Sequence, residues 1–182
     1  MMKKLLFFVL SLTLAFTLAA CGGQSAYPVS SEPLEQSSQN TPAEDAYLEV
    51  FKNIYTPQRL AGYTNYGIYY ISLNLDGVLH EHPERVKAKL EEYLKGTGVI
   101  LLWENMESLI EQGYVLTYNG SATSFAVNGE LFRFFDSALT DVLLETKVTW
   151  WSGDLAGSWQ EYKIQMRGGM WEITRIKLGL PS

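Results

Sequence analysis

The chain has 182 residues, a formal net charge of −6 and 13% aromatic residues. That aromatic content is high for a tail or a spacer, and the length suits one domain with a core of its own. The acidic balance weighs against nucleic acid as a partner, and against electrostatic adhesion to anionic lipid.

Met1-Met2-Lys3-Lys4 is a positively charged start, and Leu5 to Thr17 is an apolar run with no acid before Glu32. Even counted through Ala20, the run falls short of the ~20 residues that a membrane-spanning helix needs, so a removable export signal fits it better. Leu18-Ala19-Ala20-Cys21 follows. This stretch resembles the signal and lipobox of a bacterial lipoprotein. Leu18 matches the aliphatic position, Ala19 and Ala20 match the small residues beside the cut, and Cys21 matches the cysteine that receives lipid. The resemblance implies that residues 1–20 are a signal peptide and that Cys21 is lipidated. It also implies a mature protein held at the cell membrane, on the extracytoplasmic face. Two acyl chains, at about 0.8 kcal/mol per buried CH₂, make a stable anchor where one is marginal. Cys21 is the single cysteine, so lipidation leaves no disulfide to staple the domain. Loss of Lys3 and Lys4 with the signal takes the charge from −6 to −8.

Residues 21–40 combine the lipidated cysteine with a tether rich in Gly, Ser and Pro. At about 5–6 Å × √n, such a tether reaches about 25 Å. Residues 41–182 form the single domain. Thr41-Pro42-Ala43-Glu44 fits a capping box with proline at the first helical position. Tyr47, Val50, Phe51 and Ile54 recur at helical spacing, and Pro57 closes that helix. Ile68 to Asn74 reads as a strand, with Asp76-Gly77 as a turn. Pro83 to Lys95 reads as a second helix, with Val86, Leu90, Tyr93 and Leu94 on one face. Val99 to Trp103 is a buried run whose type the pattern leaves open, and Asn105 to Gln112 is a third helix stopped by Gly113.

From Tyr114 the period changes to two. Asn119-Gly120 and Asn128-Gly129 are tight-turn signals, with strands around them across Ser121 to Phe135. Val142, Leu144, Val148 and Trp150 mark one face of a strand ending near Trp151. Tyr162, Ile164 and Met166 mark another, and Trp171 and Ile173 lead the last. Trp171 and Ile173 share a face that should meet the first helix, whereas Trp151 is out of phase and should tolerate change. The fold class is α+β: N-terminal helices packed on a curved antiparallel sheet of C-terminal hairpins. With its close of Ala156-Gly157, Tyr162-Lys163-Ile164, Gly168-Gly169 and Trp171-Glu172-Ile173, the domain resembles the cystatin-like or NTF2-like architecture. The likeness implies helices cradled by a curved sheet with room for a pocket, and it transfers no function.

His80-Glu81-His82, with Asp76 and Glu84 nearby, is the one cluster of metal-ligand type. Imidazole and carboxylate suit zinc, but a full site needs three or four ligands. His80 and His82 are therefore only weak candidates, and no metal is assigned. Tyr63, Tyr66, Tyr69 and Tyr70, with Trp150, Trp151 and Trp159, either line a cleft or fill the helix–sheet core. Core filling is the favoured reading. Asp136, Asp141, Glu145, Asp154 and Glu161 are the available acids, mostly at turns or on polar strand faces. No nucleotide-binding, zinc-protease or serine-hydrolase pattern occurs, so no catalytic residue and no cofactor is assigned. The leading expectation is a lipid-anchored extracytoplasmic protein that binds a protein partner or a small ligand. An envelope hydrolase using carboxylates or His80 and His82 is the alternative, as is a structural or assembly subunit of a membrane complex.

Overall fold

The protein is described by a computed structural model over residues 41–153 and 157–179. Cys21 with its lipobox, the tether and Asp154 lie outside the described residues. The described segments belong to one compact unit, Ser37–Ser182. No helix among them is long and apolar enough to cross a membrane.

Two helices come first among the described residues, α1 (Glu44–Ile54) and α2 (Pro57–Thr64). The expected stripe is real, because Tyr47, Val50, Phe51 and Ile54 of α1 are all buried. The capping box is not. Thr41 donates its hydroxyl to the carbonyl of Gly169, and Ala43 takes the N-cap position with no side-chain cap. The main chain begins α1 instead, with Asp45 N–H donating to Pro42 O at 3.0 Å. Pro57 also acts differently than expected, since it starts α2 rather than ending α1. Thr56 is the N-cap there, accepting from the Arg59 N–H at 3.3 Å. Proline at the first helical position sacrifices no helical hydrogen bond, so one residue can follow a helix and begin the next.

Next come β1 (Tyr69–Gly77), α3 (Pro83–Leu94), β2 (Val99–Leu102) and α4 (Met106–Glu111). Asp76-Gly77 is not a turn. It completes β1, with a register shift before the Gly77–Phe135 pair. The rest of the chain is strand: β3 (Val115–Tyr118), β4 (Ser121–Phe125), β5 (Gly129–Thr140), β6 (Leu143–Trp151), β7 (Ser158–Arg167) and β8 (Met170–Leu178). Asn119-Gly120 makes the β3–β4 turn, with positive φ of 53° and 79° that favours these residue types. Asn128-Gly129 makes no hairpin. Tyr70 N–H donates to Asn128 O at 2.8 Å, and Gly129 enters β5 alongside β1.

The class is α+β, with the helices α1 and α3 on one face of a curved, unclosed six-stranded sheet of order β2-β1-β5-β6-β7-β8. From β5 to β8 the sheet is antiparallel. At its other end β1 joins it, pairing in parallel with both β2 and β5. Parallel neighbours need a crossover, and α3 carries the chain from β1 to β2. The segment α4-β3-β4 then carries it from β2 to β5. The β3–β4 hairpin forms a small sheet of its own, linked to the end of β6 by a single bridge between Ser124 and Gly153, and packs over the opposite face of the main sheet.

The main core joins the α1 stripe and Val86, Leu90 and Leu94 of α3 to the inner sheet face, including Ile71, Phe132, Phe134, Leu144, Val148 and Ile164. A smaller core under the hairpin holds Leu109, Val115, Phe125 and Leu131. Trp151 packs against this second core, with its ring 5.6 Å from Phe125, so it is not the free position its phase suggested.

Trp171 closes the main core and ties both ends of the domain together. It is only 6% exposed, and its indole N–H donates to Pro42 O at 2.9 Å. Trp171→Ala should cost about 3–5 kcal/mol in a urea titration, as a large aromatic deletion in a packed site does. Tyr66→Ala, at a residue 86% exposed, should change stability by no more than about 0.5 kcal/mol. Equal losses for the two variants would show that Trp171 does not close this core.

Candidate functional site

Strand β5 sets out what each face of the sheet can do. Its alternation turns Glu130, Phe132, Phe134 and Asp136 toward the helices and Leu131, Arg133 and Phe135 the other way. Two acids therefore enter the helix side, at opposite ends of an aromatic pair.

At one end, Glu130 is 2% exposed, with Tyr55, Tyr63, Tyr69 and Arg59 around it. Arg59 Nη2 lies 3.9 Å from Glu130 Oε2, its Nε donates to the Tyr63 hydroxyl, and Tyr63 stacks on Tyr69 at 4.1 Å. Burial pushes the Glu130 carboxyl up, against the opposing pull of the Tyr55 hydroxyl, Arg59 and the other two tyrosines. Burial and the nearby carboxylate likewise push the Tyr55 phenol up. At the other end, Asp136 accepts from the Tyr47 hydroxyl and from Leu79 N–H, the latter at 2.8 Å. Burial raises Asp136 as well.

His80 lies between these elements and α1. Its Nε2 is 3.2 Å from Glu44 Oε2, and its Nδ1 accepts from His82 N–H at 3.0 Å. That second bond fixes the proton on Nε2 in the neutral ring, pointing at Glu44. His82 meets a different carboxylate, Glu84, at 3.1 Å, while Asp76 accepts from the Asn74 amide at 2.9 Å. Of the sequence cluster, His82 and Glu84 pair with each other, while the side chains of His80 and Asp76 turn to Glu44 and Asn74. Among the described residues no three His, Cys, Asp or Glu side chains converge as a metal site.

The seven aromatic residues do not form one cleft. Tyr63 and Tyr69 belong to the Glu130 cluster, Tyr66 is in solvent, and Tyr70 sits 5.5 Å from Tyr114. Trp151 and Trp159 do come together, while Trp150, paired with the inward Phe132, packs on the main core and touches the recess from its end. With Arg133, Lys147 and Thr149 they line a recess of about 560 Å³ at the edge of the β3–β4 hairpin. A second recess of about 270 Å³ adjoins it, sharing Phe135 and Lys147 and extending over β7 and β8 to Lys163, Arg175 and Lys177. Together they make a groove along the sheet face opposite α1.

Charge along this groove is uneven. Lys163 pairs with Glu145 at 2.6 Å and Lys177 with Glu161 at 3.2 Å. Arg133, Lys147 and Arg175 have no carboxylate at ion-pair distance among the described residues. The Lys147 and Lys177 ammonium groups lie 4.8 and 5.6 Å from the centre of the Trp159 ring. Of the acids noted in the sequence, Glu145 and Glu161 are here, Asp141 is exposed at the β5–β6 turn, and Asp136 faces inward. Glu130, Arg59 and Arg133 went unnoticed in the sequence. The period-two run Glu130, Phe132, Phe134, Asp136 was the signal that would have placed both acids inside.

Linkage gives the Glu130 cluster a testable sign. The folded state holds a proton that the unfolded chain releases near the ordinary glutamate value of 4.5, so this group's contribution to stability falls as pH rises above that value, through the raised folded pKa. Glu130→Gln removes the effect. Its stability relative to the parent should rise between about pH 4 and about pH 7 in paired urea titrations. A difference that stays constant across that window would mean the buried carboxyl is not shifted upward.

Compared with protein-family models, with curated proteins and with solved structures, the chain matches none.

Proposed function

We propose that this is a lipid-anchored extracytoplasmic binding protein, tethered through Cys21, whose ligand or partner docks in the groove on the helix-free face of the sheet. The observation that carries the reading is the recess of about 560 Å³ beside the hairpin. Its size falls in the usual range for small-ligand sites, and its lining joins indole surface to a few cationic and hydroxyl groups. The anchor half of the reading rests on the lipobox resemblance of Leu18-Ala19-Ala20-Cys21 and on the charged, apolar segment before it.

Binding is favoured over hydrolysis by where the shifted acids lie. A catalytic acid or base must reach the reacting group. Glu130 and Asp136 both face the helices, and neither lines the groove. The acids that do line it, Glu145 and Glu161, are each paired with a lysine.

Two measurements test the two halves. Cys21→Ser should lose lipid labelling and leave the membrane fraction. Retention in membranes after a high-salt wash would refute the anchor. For the binding face, a photoreactive residue at Thr149, inside the recess, should give adducts in intact cells, while one at Lys89 on α3 should not. Equal labelling at both positions, or none at Thr149, would refute the groove as the binding surface.

A further inference from the structure

The groove also has a chemical bias that narrows what it binds, given that it is the binding face at all. Five cationic side chains, Arg133, Lys147, Lys163, Arg175 and Lys177, line it against two acids, Glu145 and Glu161. Both acids are already neutralised by lysines, so the excess positive charge falls on Arg133, Lys147 and Arg175. This occurs in a protein whose overall charge is negative. A local field opposite in sign to that of the whole molecule favours a compact anionic group placed in the groove.

Arg133 gives the strongest single indication. Its Nε is buried and has no hydrogen-bond partner among the described residues. A buried donor left without an acceptor is costly, and native structures seldom leave one so without a reason. Arg133 sits opposite Thr149 on β6 and lines the larger recess beside Lys147 and the tryptophans. The buried Nε is itself out of a ligand's reach, so an anionic oxygen entering the recess would meet the guanidinium through its terminal nitrogens, in the paired geometry arginine suits best.

Indole supplies the second half of the recognition. Trp159 is held in place from behind. A side-chain carbon at Gly179 would come within 1.9 Å of its ring, so the indole lies directly on that backbone. With Gly179 against the ring and the Lys147 and Lys177 ammonium groups over it, Trp159 offers its rim and those cations to a ligand that has an acidic group beside an apolar ring face. Thr149 and Ser158 add hydroxyls in the same recess. A sugar ring with a carboxylate or phosphate substituent has these features together, since one face of the ring carries C–H groups and its edge carries hydroxyls. We infer that the groove binds an acidic saccharide, its ring against the rim of Trp159 and its anionic group on Arg133 and Lys147.

The test uses the full-length lipidated protein in detergent micelles and a panel of short glycans. Uronic acid oligomers and sugar phosphates form the two acidic arms, and their neutral counterparts, inorganic phosphate and a ten-residue oligothymidylate are the controls. Acidic glycans should bind, change tryptophan emission and weaken as salt is raised. The uronic acid and phosphate arms show which anionic group is preferred. Arg133→Gln should weaken binding roughly tenfold or more, as loss of a charge-assisted contact does. Gly179→Ala should also weaken it while leaving every charge in place, because it displaces the Trp159 ring. Thermal unfolding of each variant confirms that it is folded. Four results would overturn the assignment: equal affinity for neutral glycans, binding of inorganic phosphate that matches the acidic sugars, tighter binding of the oligothymidylate, or no binding across the panel. If any of these came with photo-adducts at Thr149, the ligand class would be wrong while the binding face stood. Loss of the Thr149 adducts as well would remove both.

Discussion

The contact on which the rest of this fold depends is that of one face of α1 with the inner face of β5. Phe51 meets Phe132 edge-to-face with ring centres 5.5 Å apart, and Tyr47 meets Phe134 in the same way at 5.4 Å. Tyr55 continues the row onto Phe132. Aromatic pairs of this geometry add about 0.5–1.5 kcal/mol each beyond the area they bury. They also fix rotation. With Tyr47, Phe51 and Tyr55 committed to β5, α1 can present no other face to the sheet. The chain entering α1 is brought beside the β7–β8 turn, where Thr41 and Pro42 meet Gly169 and Trp171. The chain entering the helix is consequently held by a distant hairpin, and no side chain caps the helix itself.

The same alternation that puts Phe132 and Phe134 inward puts Glu130 and Asp136 inward with them. The sheet accommodates these acids through phenol groups. Tyr47 donates to Asp136, and three tyrosines with Arg59 surround Glu130. Burial drives both carboxyls toward their neutral forms, which lowers the desolvation cost of holding them there. The arrangement is a polar seam inside an apolar layer, one acid at each end of the aromatic pins. On the other side of β5 the consequence is reversed. Leu131 is sealed by the hairpin core, whereas Arg133 and Phe135 face the groove. A single strand thus divides the molecule into a closed helix face and an outer face that is half covered and half open.

Much of this was legible in sequence wherever a single element carried the information. The α1 stripe is a matter of spacing within eleven residues, and the buried phases of β6, β7 and β8 follow from simple alternation. Failures arose where a residue type has two uses. Pro57 ends a helix or starts one, and the choice depends on whether Leu60 has a core to enter, which it does. Asn128-Gly129 reads as a hairpin turn unless β1 arrives to pair with Gly129, and that pairing joins residues far apart in sequence. Thr41 could have capped its own helix, but the Gly169 carbonyl took its hydroxyl. The candidate site was the least legible. Arg133, Lys147, Trp159 and Lys177 lie on four different strands, and each alone looks like an ordinary outward residue. Only the registers Arg133–Thr149, Thr149–Trp159 and Glu161–Lys177 bring them into one groove.

Electrostatics then separates what happens far from the groove from what happens inside it. At physiological ionic strength, fields decay over about 8 Å, and the molecule's net charge is negative, so an approaching anion is not drawn in from a distance. Within the groove the balance is reversed by unpaired cations on a partly enclosed surface, where charge is less screened. Such a site gains little from long-range steering and depends on short-range contacts, so its affinity is set mainly by how slowly the ligand leaves. A fixed tryptophan surface suits that regime, because ordering the ring was already achieved by packing on Gly179 and need not be repeated on binding. On the proposed lipid anchor, the tether would supply what steering does not. It would keep the domain within about 25 Å of the membrane, where a ligand fixed in the envelope is already near and the encounter depends on confinement and not on attraction.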